Sequence, residues 1–264
     1  MVYLVYCVVI VCATGLGAIA GLGGGVIIKP LLDLLGVHDA TSIGIYSSMA
    51  VFTMCVVSLA KQAKSGFSFD GKVIASISSG SLVGGLLGET VFGTLTASLD
   101  NHMVKAVQAG LLALTLVLIL VYTLWQDAMP SLKVTSPLAI FGAGLLLGAI
   151  SVFLGIGGGP LNVACMSLLF SFGMKESVVY SLATIFFSQL SKLGLNALSG
   201  TLFAVDLSYL PAVVIPAVVG GLMGTAANQR MSDAAVRRTY LAIVLALLAL
   251  SCYNCLSNLA LAGA

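Results

Sequence analysis

The sequence predicts an all-α protein, a polytopic integral membrane helical bundle built from two homologous halves. Three observations carry this. The 264 residues are 59% hydrophobic and only 8% charged, with a mean hydropathy of +1.14, whereas ordinary soluble domains carry about 25% charge. Apolar runs of roughly 20 residues, the length that crosses a hydrocarbon core of about 30 Å, recur along the whole chain. Finally, Gly21-Leu22-Gly23-Gly24-Gly25 returns 134 residues later as Gly155-Ile156-Gly157-Gly158-Gly159, breaking an apolar run each time.

The elements follow in order. The first helix is expected from Val2 to Ala20; no basic segment precedes it, so it reads as a retained span rather than a cleaved signal. After the glycines, Val26 to Leu35 is too short to cross: ten residues rise about 15 Å, half a bilayer. Spans then follow from Thr41 to Lys61, Lys72 to Leu95 and Met103 to Leu124. The second half runs from Pro137 to Leu154, through the break, into a second half-helix from Pro160 to Phe170. It continues from Ser177 to Leu198, Leu207 to Asn228 and Ala234 to Leu256. Asp70 and Asp206 precede spans and read as N-caps. The polar connections near Lys61 to Lys72, Gln126 to Ser136 and Gln229 to Arg238 are too short to fold alone.

The glycine register extends to most of each half. At the same offset Tyr46-Ser47 falls on Tyr180-Ser181, Phe52 on Phe186, Ser65-Gly66 on Ser199-Gly200 and Phe69 on Phe203. After two inserted residues, Asp70 meets Asp206 and Val83-Gly84-Gly85-Leu86 meets Val219-Gly220-Gly221-Leu222. Chance matches of Leu and Gly are common in an apolar chain; an ungapped run that also pairs Tyr, Phe, Ser and Asp is not. The copies are residues 1–130 and 131–264, each a transmembrane repeat with a Gly-broken hairpin and a half-length helix.

Basic residues set the expected orientation, because Lys and Arg accumulate in cytoplasmic loops. If each half-helix turns back at its glycines, Lys61, Lys64, Lys72, Lys133, Lys175, Arg230, Arg237 and Arg238 share one side against Lys105 and Lys192. A half-helix that merely continued the preceding span would spread the basic residues evenly. The biased arrangement makes the halves inverted repeats and places both termini on the non-cytoplasmic side of the cytoplasmic membrane.

The breaks carry the chemistry. Each glycine costs a helix roughly 1 kcal/mol relative to Ala, and irregular backbone is tolerated at membrane depth only inside protein or beside a water-filled cavity. The gain is a bare N-terminus on the half-helix that follows. Amides of Gly23, Gly24, Gly25 and Val26, and of Gly157, Gly158 and Gly159, then point inward with the positive end of a helix dipole. Two such seats facing each other would bracket one small anion. Lys29 and Asp33 lie four apart on one half-helix face, suited either to a mutual ion pair or to tuning that site. Asn162 stands nearby on the second half-helix. Gln189 starts a polar stripe with Lys192 and Asn196, fit either to line a cavity or to join helices. Tyr46, Ser47, Tyr180 and Ser181 open the helices after the half-helices, where hydroxyls suit an oxyanion. Glu89, opposite Thr225 in the second copy, reads as an interfacial cap or a coupling carboxylate.

These residues resemble the TauE/SafE family of sulfite exporters and organosulfur-anion permeases over essentially the whole length. The marks are G-L-G-G-G-V-I-I-K-P-L-L, Ser47-Ser48 opening the next helix, and the second copy G-I-G-G-G-P-L-N-V-A-C. The pattern departs at Lys29, where the family carries an aliphatic residue, and at Ala164, which stands opposite Pro30 while Pro160 precedes it. The resemblance implies a secondary transporter of a small sulfur-containing or carboxylate anion, ion- or proton-coupled, with no organic cofactor. An anion channel of the same fold is the alternative. The expected partners are the anion and the lipid bilayer, with no nucleic acid; the oligomeric state stays open, a homo-oligomer included.

Other classes fit poorly. No Lys-Ser/Thr follows either glycine run, against a nucleotide P-loop. Neither His38 nor His102 falls in an expected span, so no catalytic set is expected and the protein reads as a non-enzyme. Cys252-x-x-Cys255 lacks a second ligand pair, so no metal is expected, and the six cysteines read as buried small apolar residues.

Overall fold

A computed structural model describes residues 2–126, 132–155 and 158–262. The first half comprises α1 (Val2–Ala20), α2 (Gly25–Leu35), α3 (Ala40–Lys64), α4 (Gly71–Ser98) and α5 (Asn101–Trp125). The second comprises α6 (Pro137–Phe153), α7 (Gly159–Phe170), α8 (Met174–Leu198), the single turn α9 (Thr201–Ala204), a 3-10 turn (Leu207–Tyr209), α10 (Leu210–Arg230) and α11 (Asp233–Ala262). Among the described residues there is no strand, and seven helices are long and apolar enough to cross a membrane. The protein is a polytopic helical membrane protein. Expected span α6 is shorter than the others at 17 residues, about 26 Å long.

Several helices outrun their apolar stretches because aspartates start them. Asp39 accepts from the Ser42 N–H, Asp70 from Lys72 and Val73, and Asp100 from Met103, each satisfying amides that a helix start leaves unpaired. Apolar side chains cover the outside of the bundle as well as filling clusters inside it, and most amide side chains within the spans are turned inward. Leu114, Leu118, Leu146 and Ile215 are exposed, while Lys29, Asn162, Gln189, Lys192 and Asn228 are buried.

Both half-helices fold back along the helix before them. Ile28 and Leu32 of α2 pack in one cluster with Tyr6, Ile10 and Ala13 of α1, and the Tyr6 hydroxyl meets His38 Nδ1, just past α2, at 2.8 Å. In the second half, the Leu132 and Val134 N–H groups donate to the Leu168 and Leu169 carbonyls at 2.9 and 2.8 Å. The end of α7 therefore returns to the segment that leads into α6.

The two halves exchange partners. Helix α4 lies along α6, where Gly80, Gly84 and Gly88 form a stripe against the carbonyls of Phe141, Leu145 and Ala149. Gly144 and Gly148 answer against Ile77 and Ser81. Helix α10 treats α1 in the same way, with Gly220 and Gly224 against Val11, Thr14 and Gly15. Small residues are what allow such close backbone approach within a bilayer, where dispersion and not water drives helix association. At the centre α3 and α8 meet, and Phe52 stacks on Phe186 with ring centroids 5.1 Å apart.

The stripe gives a first test. A Cβ on Gly84 overlaps the Leu145 carbonyl, whereas a Cβ on Gly93, in the same helix, meets nothing within 4 Å. Gly84→Val is expected to lose its monodisperse peak on detergent size exclusion, while Gly93→Val elutes like the parent protein. Equal elution would mean that the close α4 and α6 contact does not hold the bundle together.

Candidate functional site

The first break needs its glycines. Gly21, Gly23 and Gly24 have φ of 71°, 77° and 73°, left-handed values that cost an L-residue about 1–2 kcal/mol. They reverse the chain so tightly that a Cβ on Gly24 would sit 3.1 Å from the Ala13 carbonyl. Helix α2 then starts with no side-chain cap, leaving first-turn amides to an outside acceptor. The second break repeats this with Gly155 at φ 67° and Gly158 at φ 65°, and α7 also lacks a side-chain cap. Gly157, expected in the site, lies outside the described residues.

The two breaks meet. Gly159 lies so flat on Leu22 that a Cβ would overlap the Leu22 backbone, and a Cβ on Gly21 would come within 2.8 Å of the Val178 Cα. The Ser181 hydroxyl clips them together, donating to the Gly21 carbonyl at 2.7 Å and reaching the Gly159 carbonyl at 3.5 Å. Around this contact stand polar groups with no hydrogen-bond partner among the described residues. Asn162, in the first turn of α7, is 0% exposed, and neither its amide oxygen nor its nitrogen is bonded. The hydroxyl of Ser151, which Gly158 abuts, is likewise buried and unbonded, as is that of Ser47 on α3. Buried polar atoms are nearly always paired in folded proteins, so their concentration here marks a place suited to a polar ligand.

A buried charge cluster adjoins the breaks. Lys29 Nζ lies 3.8 Å from Asp33 Oδ2, and Lys105 Nζ lies 3.6 Å from Asp33 Oδ1. Lys105 also donates to the His38 carbonyl at 3.0 Å. Lys192 Nζ of α8 lies 3.8 Å from Glu89 Oε2 of α4. The Lys29 stem crosses to the other half, where a Cβ on Gly155 would touch its Cδ at 3.2 Å. Three ammoniums less two carboxylates leave one net positive charge. Burying charge costs several kcal/mol per ion even when it is paired, and ionisable residues at membrane depth are retained where they act on a substrate or ion.

Two cavities flank this centre at opposite ends of the α3 and α8 pair. One, of about 410 Å³, is lined by Thr41, Glu89, Thr90, Phe92, Asn196 and Ser199. The other, of about 420 Å³, is lined by Gln62, Ser65, Lys175, Glu176, Asn228 and Gln229. Phe52 and Phe186 stack between them in helix order.

Residues 6–251 match the family model described as Sulfite exporter TauE/SafE. The chain belongs to this family. A relative from Bacillus subtilis (strain 168), the probable membrane transporter protein YunE, is 28% identical over 240 residues, covering 81% of this chain and 84% of the relative. No solved structure matches. Family and relative make the chain a membrane transporter and not an enzyme.

The expected site residues divide. Gly23, Gly24, Gly25, Gly158, Gly159, Ser181 and Asn162 come together at the breaks, and Lys29 reaches them. Val26 contributes only backbone, since its side chain packs in an apolar cluster with Leu22 and Val163. Gln189 is buried on α8 with its amide nitrogen unbonded. Asp33 pairs with Lys29 as its spacing suggested. Glu89 is no interfacial cap: its carboxylate is turned inward to Lys192 and Asn196.

Tyr46 and Tyr180 require a correction. Their hydroxyls are not at the breaks; Tyr46 donates to the Asp206 carbonyl at 2.9 Å, and Tyr180 accepts from the Asp70 N–H at 2.7 Å. Each ties its helix to the capping residue of the other half. The Ser208 backbone N–H holds the Asp206 carboxyl below the usual carboxylate range. That contribution is fully present above the ordinary value and is lost as pH falls through the depressed one. Tyr46→Phe and Tyr180→Phe are each expected to lower stability by about 1 kcal/mol and to leave the KM for transport unchanged. A raised KM without loss of stability would return these hydroxyls to the substrate.

Sequence reasoning missed Lys105 and Gln108, both buried near the start of α5. Gln108 Nε2 donates to the Phe153 carbonyl at 2.6 Å. Their spacing of three, one helical face, was the available signal.

Proposed function

We propose that the chain is a secondary carrier of a small anion, sulfite, a sulfonate or a related carboxylate, which it moves by alternating access. The carrying observation is Asn162, wholly buried and unbonded at the meeting of two uncapped half-helices. In this reading the anion sits between the N-termini near Gly23 to Val26 and Gly157 to Gly159, with amides, Asn162 and Ser47 as donors, Lys29 supplying charge, and the Ser181 hydroxyl spent on holding the two breaks together. One half then rocks against the other to exchange its exposure between the two cavities. Asp33 and Glu89 are the carboxylates placed to couple a proton to this movement.

We read the two halves as an inverted repeat, and reciprocal contacts between them support this. Helix α4 packs on α6 and α10 on α1; Tyr46 meets Asp206 and Tyr180 meets Asp70; Phe52 meets its own counterpart Phe186. With half-helices that fold back, each half would cross an odd number of times and both termini would share one side, the non-cytoplasmic one if the basic loops face the cytoplasm.

Asn162→Leu tests the site. An unbonded buried amide replaced by an apolar group of similar size leaves the fold as stable or more so. Anion flux into proteoliposomes is nevertheless expected to fall about tenfold or more, the loss of a strong bond to a charged ligand. Undiminished flux would remove the anion from the breaks. Flux that neither saturates nor responds to a pH gradient would favour a channel.

A further inference from the structure

The cavity between the start of α3, the later turns of α4 and the end of α8 ends on the Lys192 and Glu89 pair of the buried charge cluster. Lys192 is 2% exposed, and its Nζ stands 3.8 Å from Glu89 Oε2, beyond hydrogen-bond reach. Glu89 Oε2 is buried and accepts no hydrogen bond, whereas Oε1 takes the Asn196 amide nitrogen. The ammonium is otherwise held by the fold. It lies 5.5 Å from the centre of the Phe92 ring and against Gly44, where a Cβ would stand 3.2 Å from Nζ. Three helices thus build a seat for one cation, but its counter-charge comes from a side chain that itself lines the cavity. The same cavity is lined by Thr41, Thr90, Asn196 and Ser199. The Thr90 and Ser199 hydroxyls bond to the Leu86 and Asn196 carbonyls, so the Asn196 amide and the Thr41 hydroxyl are the donors the cavity offers in front of the buried ammonium, the chemistry of a small oxyanion site.

We propose that this is a second anion site, at the mouth of the pathway, in which Glu89 is a tethered stand-in for a sulfonate-like oxyanion. The incoming anion takes Lys192 and the Asn196 amide, and Glu89 turns into the cavity. Two anions cannot share one ammonium, so the displaced carboxylate takes one proton from hydronium or a buffer acid; the carboxyl O–H bond forms as the donor's bond to that proton breaks, leaving water or the buffer base. Among the elements packed on α4, α8 brings Lys192, and α6 carries no ionisable residue. Lys105 of α5 is engaged by Asp33 and His38, and Tyr46 of α3 by Asp206. One anion and one proton therefore enter together. The site draws on the carrier reading for the class of ion, and its own residues lie outside the glycine runs.

Calorimetry of the whole protein in nanodiscs, titrated with methanesulfonate in buffers of different ionisation enthalpy, tests it, since this anion does not itself titrate near neutrality. The wild-type protein is expected to take up about one proton per anion, with affinity falling about tenfold per pH unit where Glu89 is ionised. Glu89→Gln, which keeps the Asn196 contact, is expected to bind about tenfold tighter, without proton uptake and without pH dependence. Glu89→Gln combined with Lys192→Met buries no lone charge and is expected to lose this binding. Wild-type binding without proton uptake, together with unchanged affinity in Glu89→Gln, overturns the stand-in while leaving the carrier reading intact. Absence of binding to both proteins overturns the entry site, and the carrier reading then stands or falls on anion flux through the wild-type protein and Asn162→Leu.

Discussion

Asp33→Asn should destabilise the protein by about 3–5 kcal/mol, the usual result of leaving a buried charge without its partner. Asp33 is the carboxylate between two ammoniums, 3.8 Å from Lys29 and 3.6 Å from Lys105, and its side chain is 7% exposed. Asparagine keeps the shape and removes the charge, so packing is unchanged and the loss is electrostatic. Detergent-solubilised Asp33→Asn is expected to melt about 10 °C below the parent. Adding Lys29→Met should recover much of this, because the remaining Lys105 keeps the His38 carbonyl. The reverse order is as informative: Lys29→Met alone leaves Asp33 its pair with Lys105 and should cost far less than Asp33→Asn. An unchanged melting temperature in Asp33→Asn would mean that the ammoniums are neutralised by something other than this carboxylate.

The same cluster shows how far the sequence can be read. Hydropathy and the repeated glycines located every span and both half-helices, because burial in lipid leaves a compositional trace that needs no tertiary knowledge. The fold-back of each half-helix followed from the distribution of Lys and Arg. Lys105 was read as a loop charge because a lysine soon after Asp100 looks like the solvated start of a helix; only the return of α2 to His38 buries it. Tyr46 and Tyr180 misled for a different reason. Their repetition at a fixed offset was taken as a sign of a ligand site, but an internal duplication preserves structural ties as faithfully as functional ones, and these hydroxyls secure Asp206 and Asp70. Glu89 and Lys192 lie on helices of different halves, so no spacing in the chain could have paired them.

Gly159→Ala should be among the most damaging single-methyl changes at the described residues. Its backbone is ordinarily helical, with no left-handed φ, so the demand for glycine is one of space alone. The atoms that a Cβ would overlap are the Cα, carbonyl carbon and carbonyl oxygen of Leu22. Backbone cannot change rotamer, so the two breaks themselves must part. The expected cost is at the upper end for overpacking, about 3 kcal/mol, and no substitution at a side chain relieves it. At Gly23 the obstacle is the Ile185 side chain, 3.0 Å from the added Cβ, and trimming Ile185 to valine should return part of what Gly23→Ala loses. Gly194→Ala is the control, since nothing lies within 4 Å of its added Cβ. Melting temperature and anion flux should fall together in Gly159→Ala and hold in Gly194→Ala. If Gly159→Ala melts with the control yet stops flux, the contact of the breaks is a step in the transport cycle and adds nothing to the resting fold. If it keeps both, the two half-helices do not meet as described, and an anion seat between them loses its geometric basis.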